Sequence, residues 1–121
     1  MREIKFRAKS ITGEWVYGNF IHSKKFQGCS NEFRIHDKET GLESDIIIET
    51  LGEFTGLQDK NGVDIYEGDF VKINGNVIGL IVFDKAMFMI EPLNGNYIFI
   101  DHYLDVVEVI SNIYENPELL R

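Results

Sequence analysis

Two apolar runs, Val77-Ile78-Gly79-Leu80-Ile81-Val82-Phe83 and Met87-Phe88-Met89-Ile90, joined by Asp84-Lys85-Ala86, decide the fold class. A strand with one buried face alternates apolar and polar residues, whereas these runs are apolar on both parities. Such strands belong at the centre of a sheet with both faces covered. The short link makes them antiparallel neighbours, and Phe83, Phe88, Ile81 and Ile90 are expected among the most buried residues. In so short a chain the second covering layer must come from the N-terminal segment or from another subunit. A homo-oligomer is therefore expected.

Outward from this hairpin, glycine recurs beside Asn or Thr at Thr12-Gly13, Asn61-Gly62, Asn74-Gly75 and Asn94-Gly95. Asn-Gly tolerates positive φ at two successive residues, as a type I′ hairpin turn requires. Between these turns lie runs rich in Ile, Val, Phe and Tyr: 3–8, 15–22, 33–36, 45–49, 70–73, 77–84, 87–91, 97–100 and 106–110. Short strands at such spacing predict a mainly β fold, a small antiparallel barrel or roll with little helix. In the first strand Ile4, Phe6 and Ala8 alternate with Glu3, Lys5, Arg7 and Lys9, predicting one apolar and one charged face. Helix is expected only as a turn near 101–107 and a C-terminal turn, with Asn116 as its cap and Pro117 in its first position.

The chain has 121 residues with 44% hydrophobic side chains, enough for a core without metal or disulfide staples. It is read as a single compact unit with a soft boundary near Leu51, an N-terminal β segment over 1–50 and a barrel with its C-terminal docking segment over 51–121. No apolar run approaches the roughly 20 residues of a membrane span. Met1 to Lys9 do not resemble a secretory signal, and Cys29 has no second cysteine to pair with, so a cytoplasmic location is expected. The net charge of −8 arises entirely beyond Thr50: residues 1–50 carry eight basic and eight acidic side chains, residues 51–121 four and twelve. That imbalance disfavours phosphate binding by the second half.

The residues offer little chemistry. His22, His36 and His102 lack metal-ligand spacing, and Cys29 in Gln27-Gly28-Cys29-Ser30-Asn31 reads as a free thiol with no base nearby in sequence. Asp59, Asp64, Glu67 and Asp69 are close in sequence but match no calcium loop, and they read as turn formers. No catalytic residue, metal or cofactor is assigned. The strongest functional constellation is basic: Lys5, Arg7 and Lys9 on one strand face, with Lys24 and Lys25 after the second strand. With Trp15 or Phe26 beside them they could hold an anion or single-stranded nucleic acid. The alternative is a solvated face that blunts an edge strand. At the other end Ile113, Tyr114, Leu119 and Leu120 surround Asn116-Pro117, and so many apolar residues predict a segment docked on this subunit or a neighbour.

Three blocks in order resemble the YopX family of bacteriophage and prophage proteins: Met1-Arg2-Glu3-Ile4-Lys5-Phe6-Arg7-Ala8; 54–62 with 65–72, reading FTGLQDKNG and IYEGDFVK; and 112–120, reading NIYENPELL. The likeness spans almost the whole chain. It implies a phage accessory protein whose second half is similar to an SH3-like barrel, and it brings no established catalytic activity. The resulting expectation is a non-enzymatic, self-associating interaction module acting on an unidentified phage or host protein, with no membrane partner. A nucleic-acid-binding accessory factor using the Lys5, Arg7, Lys9 face is the alternative.

Overall fold

A computed structural model describes residues 3–23, 32–75, 77–93, 95, 98–100 and 103–120. The chain divides into two compact units, Met1–Phe54 and Thr55–Arg121. Its architecture is mainly β with two antiparallel sheets, and among the described residues helix is limited to short 3₁₀ turns.

In the first unit β1 (Phe6–Lys9), β2 (Trp15–His22), β3 (Phe33–His36) and β4 (Glu43–Asp45) precede β5 (Gly52–Gln58), whose opening residues close the unit. The order is β4-β3-β2-β1-β5. The spans 15–22 and 33–36 expected from β-rich composition are those observed. The expected strand over 45–49 is instead the end of β4 followed by a 3₁₀ turn, Ile48–Thr50. Thr50 fixes this turn, its hydroxyl donating to the Ile47 carbonyl at 2.6 Å while accepting the Lys9 N–H at 2.8 Å. Gly18, at φ +149°, lets β2 approach β3 closely, since a Cβ there would stand 2.2 Å from the His36 carbonyl oxygen.

Register sorts the first unit's side chains. Phe6 lies opposite Gly18 and Ala8 opposite Val16, while Phe20 lies opposite Ile35. These positions form the core of Ala8, Ile35 and Ile46, with Phe6, Val16, Phe20, Phe33 and Leu51 packed against it. Ile4, expected on the same apolar face, is 63% exposed because it precedes β1 and lies beyond this cluster. A second correction concerns β1 itself. It pairs with β2 on one side and β5 on the other, so it is an interior strand and its lysines do not guard an edge.

In the second unit the end of β5 leads to β6 (Asp64–Tyr66), β7 (Asp69–Ile73), β8 (Val77–Asp84), β9 (Met87–Pro92), β10 (Ile98–Phe99) and β11 (Val107–Asn112). The five-stranded order is β10-β9-β8-β7-β11. The expected pairing of the two apolar runs holds, with Ile81 opposite Ile90 and Phe83 opposite Phe88. Ile65, Val71, Ile73, Ile81, Ile90, Ile100 and Val107 form the core. Each fully buried side chain of this size contributes about 1.5–3 kcal/mol by transfer from water.

Ile81 and Ile90 are buried as expected, at 1% and 0% exposure, but Phe83 is 50% exposed and Phe88 only half-buried. Both phenylalanines point to the same side as the isoleucines, yet they sit at the hairpin tip, beyond the core. Their rings meet edge to face at 4.9 Å. The tip itself is a two-residue turn with Lys85 at φ 51° and Ala86 at φ 64°. Asn74 and Gly75, at φ 53° and 78°, make the type I′ turn their identities predict. Asn61-Gly62 departs from that expectation. Only Gly62 has positive φ, and the Asp59 carbonyl and N–H bond Gly62 and Val63, so this is a three-residue loop ending in a left-handed glycine.

Candidate functional site

The basic face of the first unit is built by cross-strand pairing. Lys9 lies opposite Trp15 and Arg7 opposite Tyr17. The Arg7 guanidinium stands over the Trp15 ring at 5.0 Å, Lys9 Nζ over the same ring at 5.8 Å, and Lys5 Nζ over the Phe54 ring at 4.7 Å. These are cation–π distances, at which a positive charge meets the electron-rich face of the ring. Trp15 thus stands beside the cations, as expected of a basic and aromatic stripe. Arg7 does not face solvent as predicted: it is only 7% exposed, so its guanidinium is withdrawn from any phosphate. Lys5 and Lys9 are half-buried. Lys24, Lys25 and Phe26 lie outside the described residues, as do Cys29 and His102.

A cavity of about 290 Å³ opens beside Lys5, lined also by Glu3, Tyr17, Asn19, Asp37 and Lys38. Its charges are mixed, and Lys5 Nζ is 3.7 Å from a Glu3 carboxylate oxygen. That arrangement neutralises part of the field an anion would need. His22 stacks on Phe33 at 4.7 Å, and no group of three metal-ligating side chains occurs among the described residues.

The acidic turn of the second unit serves the backbone. Asp59 is 6% exposed; its Oδ1 accepts the N–H groups of Asn61 at 2.8 Å and Val63 at 3.0 Å, and its Oδ2 accepts that of Val109 at 2.9 Å. Burial pushes this carboxyl's pKa up, but the donors from Val109, Val63 and Asn61 and the Lys60 charge outweigh it and hold the group below its ordinary range. The Val109 bond spans 50 residues and falls where the register of β11 against β7 shifts, between Val109 and Ser111. Asp69, 1% exposed, accepts the Tyr66 N–H at 2.8 Å. These two carboxylates organise turns.

The C-terminal segment bends back on its own unit. The Ile113 N–H donates to the Gly68 carbonyl at 2.8 Å, and the Tyr114 ring lies against Gly68, where a Cβ would be 3.3 Å from its Cε2 atom. Asn112, which sequence reasoning passed over, caps the bend by accepting the Tyr114 and Glu115 N–H groups at 3.0 and 2.9 Å. The expected side-chain cap by Asn116 is absent because its amide is engaged elsewhere. Its Oδ1 accepts the Ser111 hydroxyl, and its Nδ2 donates to Glu118 at 3.0 Å. That last bond holds the Glu118 carboxyl below its ordinary pKa. Pro117 does open a 3₁₀ turn, through Leu120. Ile113, Tyr114 and Leu119 are half-buried and Leu120 is 48% exposed.

A further surface, not singled out by residue type alone, lies at the β9–β10 margin of the second unit. Phe99 lies opposite Met89 and Met89 opposite Val82, forming one apolar row on the side of the sheet away from Ile81 and Ile90. Phe99 is 50% and Met87 42% exposed. A cavity of about 360 Å³, lined by Thr55, Leu57, Met87, Phe88, Phe99 and Ile100, belongs to the opposite side, the one taken by Phe88 and the core residue Ile100. The two-sided apolar character of 77–83 and 87–90 carried the signal for the face that holds the row.

The model of a family described as YopX protein matches residues 5–121. The crystal structure of protein EF1440 from Enterococcus faecalis is similar over 100% of both chains, with 25% sequence identity and a TM-score of 0.63. No curated protein matches. No helix among the described residues is long and apolar enough to cross a membrane.

Proposed function

Because the chain belongs to the YopX family, we propose that it is a non-enzymatic protein-interaction module that self-associates and serves as an accessory factor of phage or prophage origin in the host cytoplasm. The observation that supports this reading is the tip of the β8–β9 hairpin, which leaves Phe83 50% exposed against the half-buried Phe88, on the side of the sheet opposite Met89 and Phe99. Large apolar side chains grouped at one end of a unit are characteristic of binding surfaces. The polar groups with the most hydrogen bonds, Asp59 among them, are meanwhile occupied in shaping turns.

Light scattering between micromolar and millimolar concentration tests self-association. The expected result is a mass above 14.0 kDa that falls on dilution. Phe83→Ser should lower the association constant while leaving the circular dichroism spectrum unchanged. A constant monomeric mass across that range removes self-association from the reading.

Nucleic-acid binding by Lys5, Arg7 and Lys9 is the second reading, favoured by the placement of Trp15 beside the cations. The burial of Arg7 leaves Lys5 and Lys9 as the accessible charges of that trio. Tight binding of a labelled oligonucleotide at physiological salt, weakened by Lys5→Gln and Lys9→Gln, would raise this reading above the first.

A further inference from the structure

The apolar row on the outer side of the second unit is bracketed by acids. Val82, Met89 and Phe99 share one level of the sheet, set by the pairs Val82 with Met89 and Met89 with Phe99. One level toward the hairpin tip, Asp84 lies opposite Met87; one level the other way, Glu91 lies opposite Leu80. Successive same-side residues along a strand are about 7 Å apart, so a carboxylate flanks the apolar row at each end. The unit as a whole repeats this sign, with eleven Asp and Glu against four Lys and Arg in residues 55–121, a net charge of −7.

Each part of this surface constrains what it can receive. Phe99 and Met87 are substantially exposed, and Met87 lies one level along the strand from the row of Val82, Met89 and Phe99. Two methionines, Met87 and Met89, give this face flexible, polarisable side chains that adapt to different apolar shapes. Two copies of this face would bring acids against acids, and the repulsion counts against a symmetric contact here.

We propose that the outer face of β8–β10 binds a segment of a partner protein in which one or two large apolar side chains are flanked on both sides by Lys or Arg. The apolar side chain lies across Val82, Met89 and Phe99, and the flanking cations meet Asp84 and Glu91. This deepens the interaction-module reading by naming the chemistry of the partner, and it rests on that reading.

The test uses the full-length protein and labelled synthetic peptides of one length: Lys-Leu-Lys-Phe-Lys-Leu-Lys, the same peptide with Glu for Lys, and the same with Ser for Leu and Phe. Fluorescence anisotropy at dilute protein should show binding of the first peptide only, with the other two weaker by about tenfold or more, the factor that 1.4 kcal/mol represents. Phe99→Ser should weaken the first peptide by a similar factor. Asp84→Asn with Glu91→Gln should weaken it severalfold and flatten its salt dependence. Peptide-induced amide shifts in isotope-labelled protein should centre on Val82, Met89 and Phe99.

The proposal is overturned if the first peptide does not bind at millimolar concentration. Equal binding of the Ser-containing peptide, or equal binding to all variants, also overturns it, because that is attraction to net charge alone. Binding without self-association in light scattering would retain this inference and remove the oligomer. Self-association without peptide binding would do the reverse.

Discussion

Among the described residues the two units bury charged side chains of opposite sign, Arg7 in the first and Asp59 and Asp69 in the second. In the first, cations lie over aromatic rings: Lys5 over Phe54, and Arg7 and Lys9 over Trp15. In the second, carboxylates are bound to backbone N–H groups, three of them on Asp59 and one on Asp69. The difference follows from hydrogen-bonding capacity. A carboxylate accepts several backbone donors and so can hold the chain at a turn, whereas an ammonium or guanidinium only donates and is accommodated by a ring at little directional cost. Buried charge is thus a backbone constraint in the second unit and a packing element in the first, where the half-buried Asp37 also accepts backbone N–H groups, from Glu39 at 2.9 Å and Thr40 at 3.4 Å.

The largest expected effect comes from breaking that constraint. Asp59→Asn leaves an oxygen for Asn61 and Val63 but turns an amide NH₂ toward the Val109 N–H. Loss of a charged hydrogen bond and an uncompensated donor should cost about 1.5–3 kcal/mol, lowering the melting temperature by about 10 °C. A pH series sharpens the test. The native carboxyl has a depressed pKa, so its stabilisation is complete above the ordinary unfolded value of about 3.9 and is lost as pH falls through the native one. Chemical denaturation should show the gap between wild type and variant narrowing below about pH 4. A gap independent of pH would mean that the carboxylate's charge does not matter.

Gly68→Ala comes next, at about 1–2 kcal/mol of destabilisation, because φ is +94° and the new Cβ would press on Tyr114. Tyr114→Ala in that background should recover the contact part and leave the backbone part. If Gly68→Ala is silent in a thermal melt, the C-terminal segment does not dock as described. Ala86→Gly acts in the favourable direction. Ala86 has φ 64°, and relieving it should add up to about 1 kcal/mol, measured as a raised denaturation midpoint.

The smallest effect belongs to the first unit. Lys9→Gln removes one cation from Trp15 and should cost about 0.5 kcal/mol, an amount that shrinks little with salt if the ring, and not a distant acid, is its partner. A loss as large as that of Asp59→Asn would erase the contrast between the units.

Where local patterning suffices, the sequence is a good guide. The spans 15–22, 33–36 and 77–84, rich in β-branched and aromatic residues and closed by turn formers, are the strands observed. Gly52–Gln58 and Asp64–Tyr66 were not legible as strands. Two glycines and a glutamine weaken the first, and only three residues make the second, so pairing supplies what propensity does not. The basic stripe could be read as a stripe, but the burial of Arg7 could not, because an interior position for β1 depends on its pairing with Gly52 and Glu53 across some 45 residues.

By itself, then, the sequence determined the β class, the β8–β9 hairpin and the unequal charge of the two halves, all of which follow from composition and neighbours within a few residues, and its three motif blocks carried the family resemblance. Tertiary structure alone decided that Phe83 lies beyond the core while Ile81 and Ile90 lie within it. It likewise decided that Asp59 reaches Val109, that Asn112 caps the bend at 113–115, and that the Asn116 side chain is held by Ser111 and Glu118 instead of capping the 3₁₀ turn that follows. Periodicity specifies which side of a strand a residue takes, but exposure also depends on where the covering layer ends, and a hydrogen-bond partner on which distant donor the fold brings within about 3 Å.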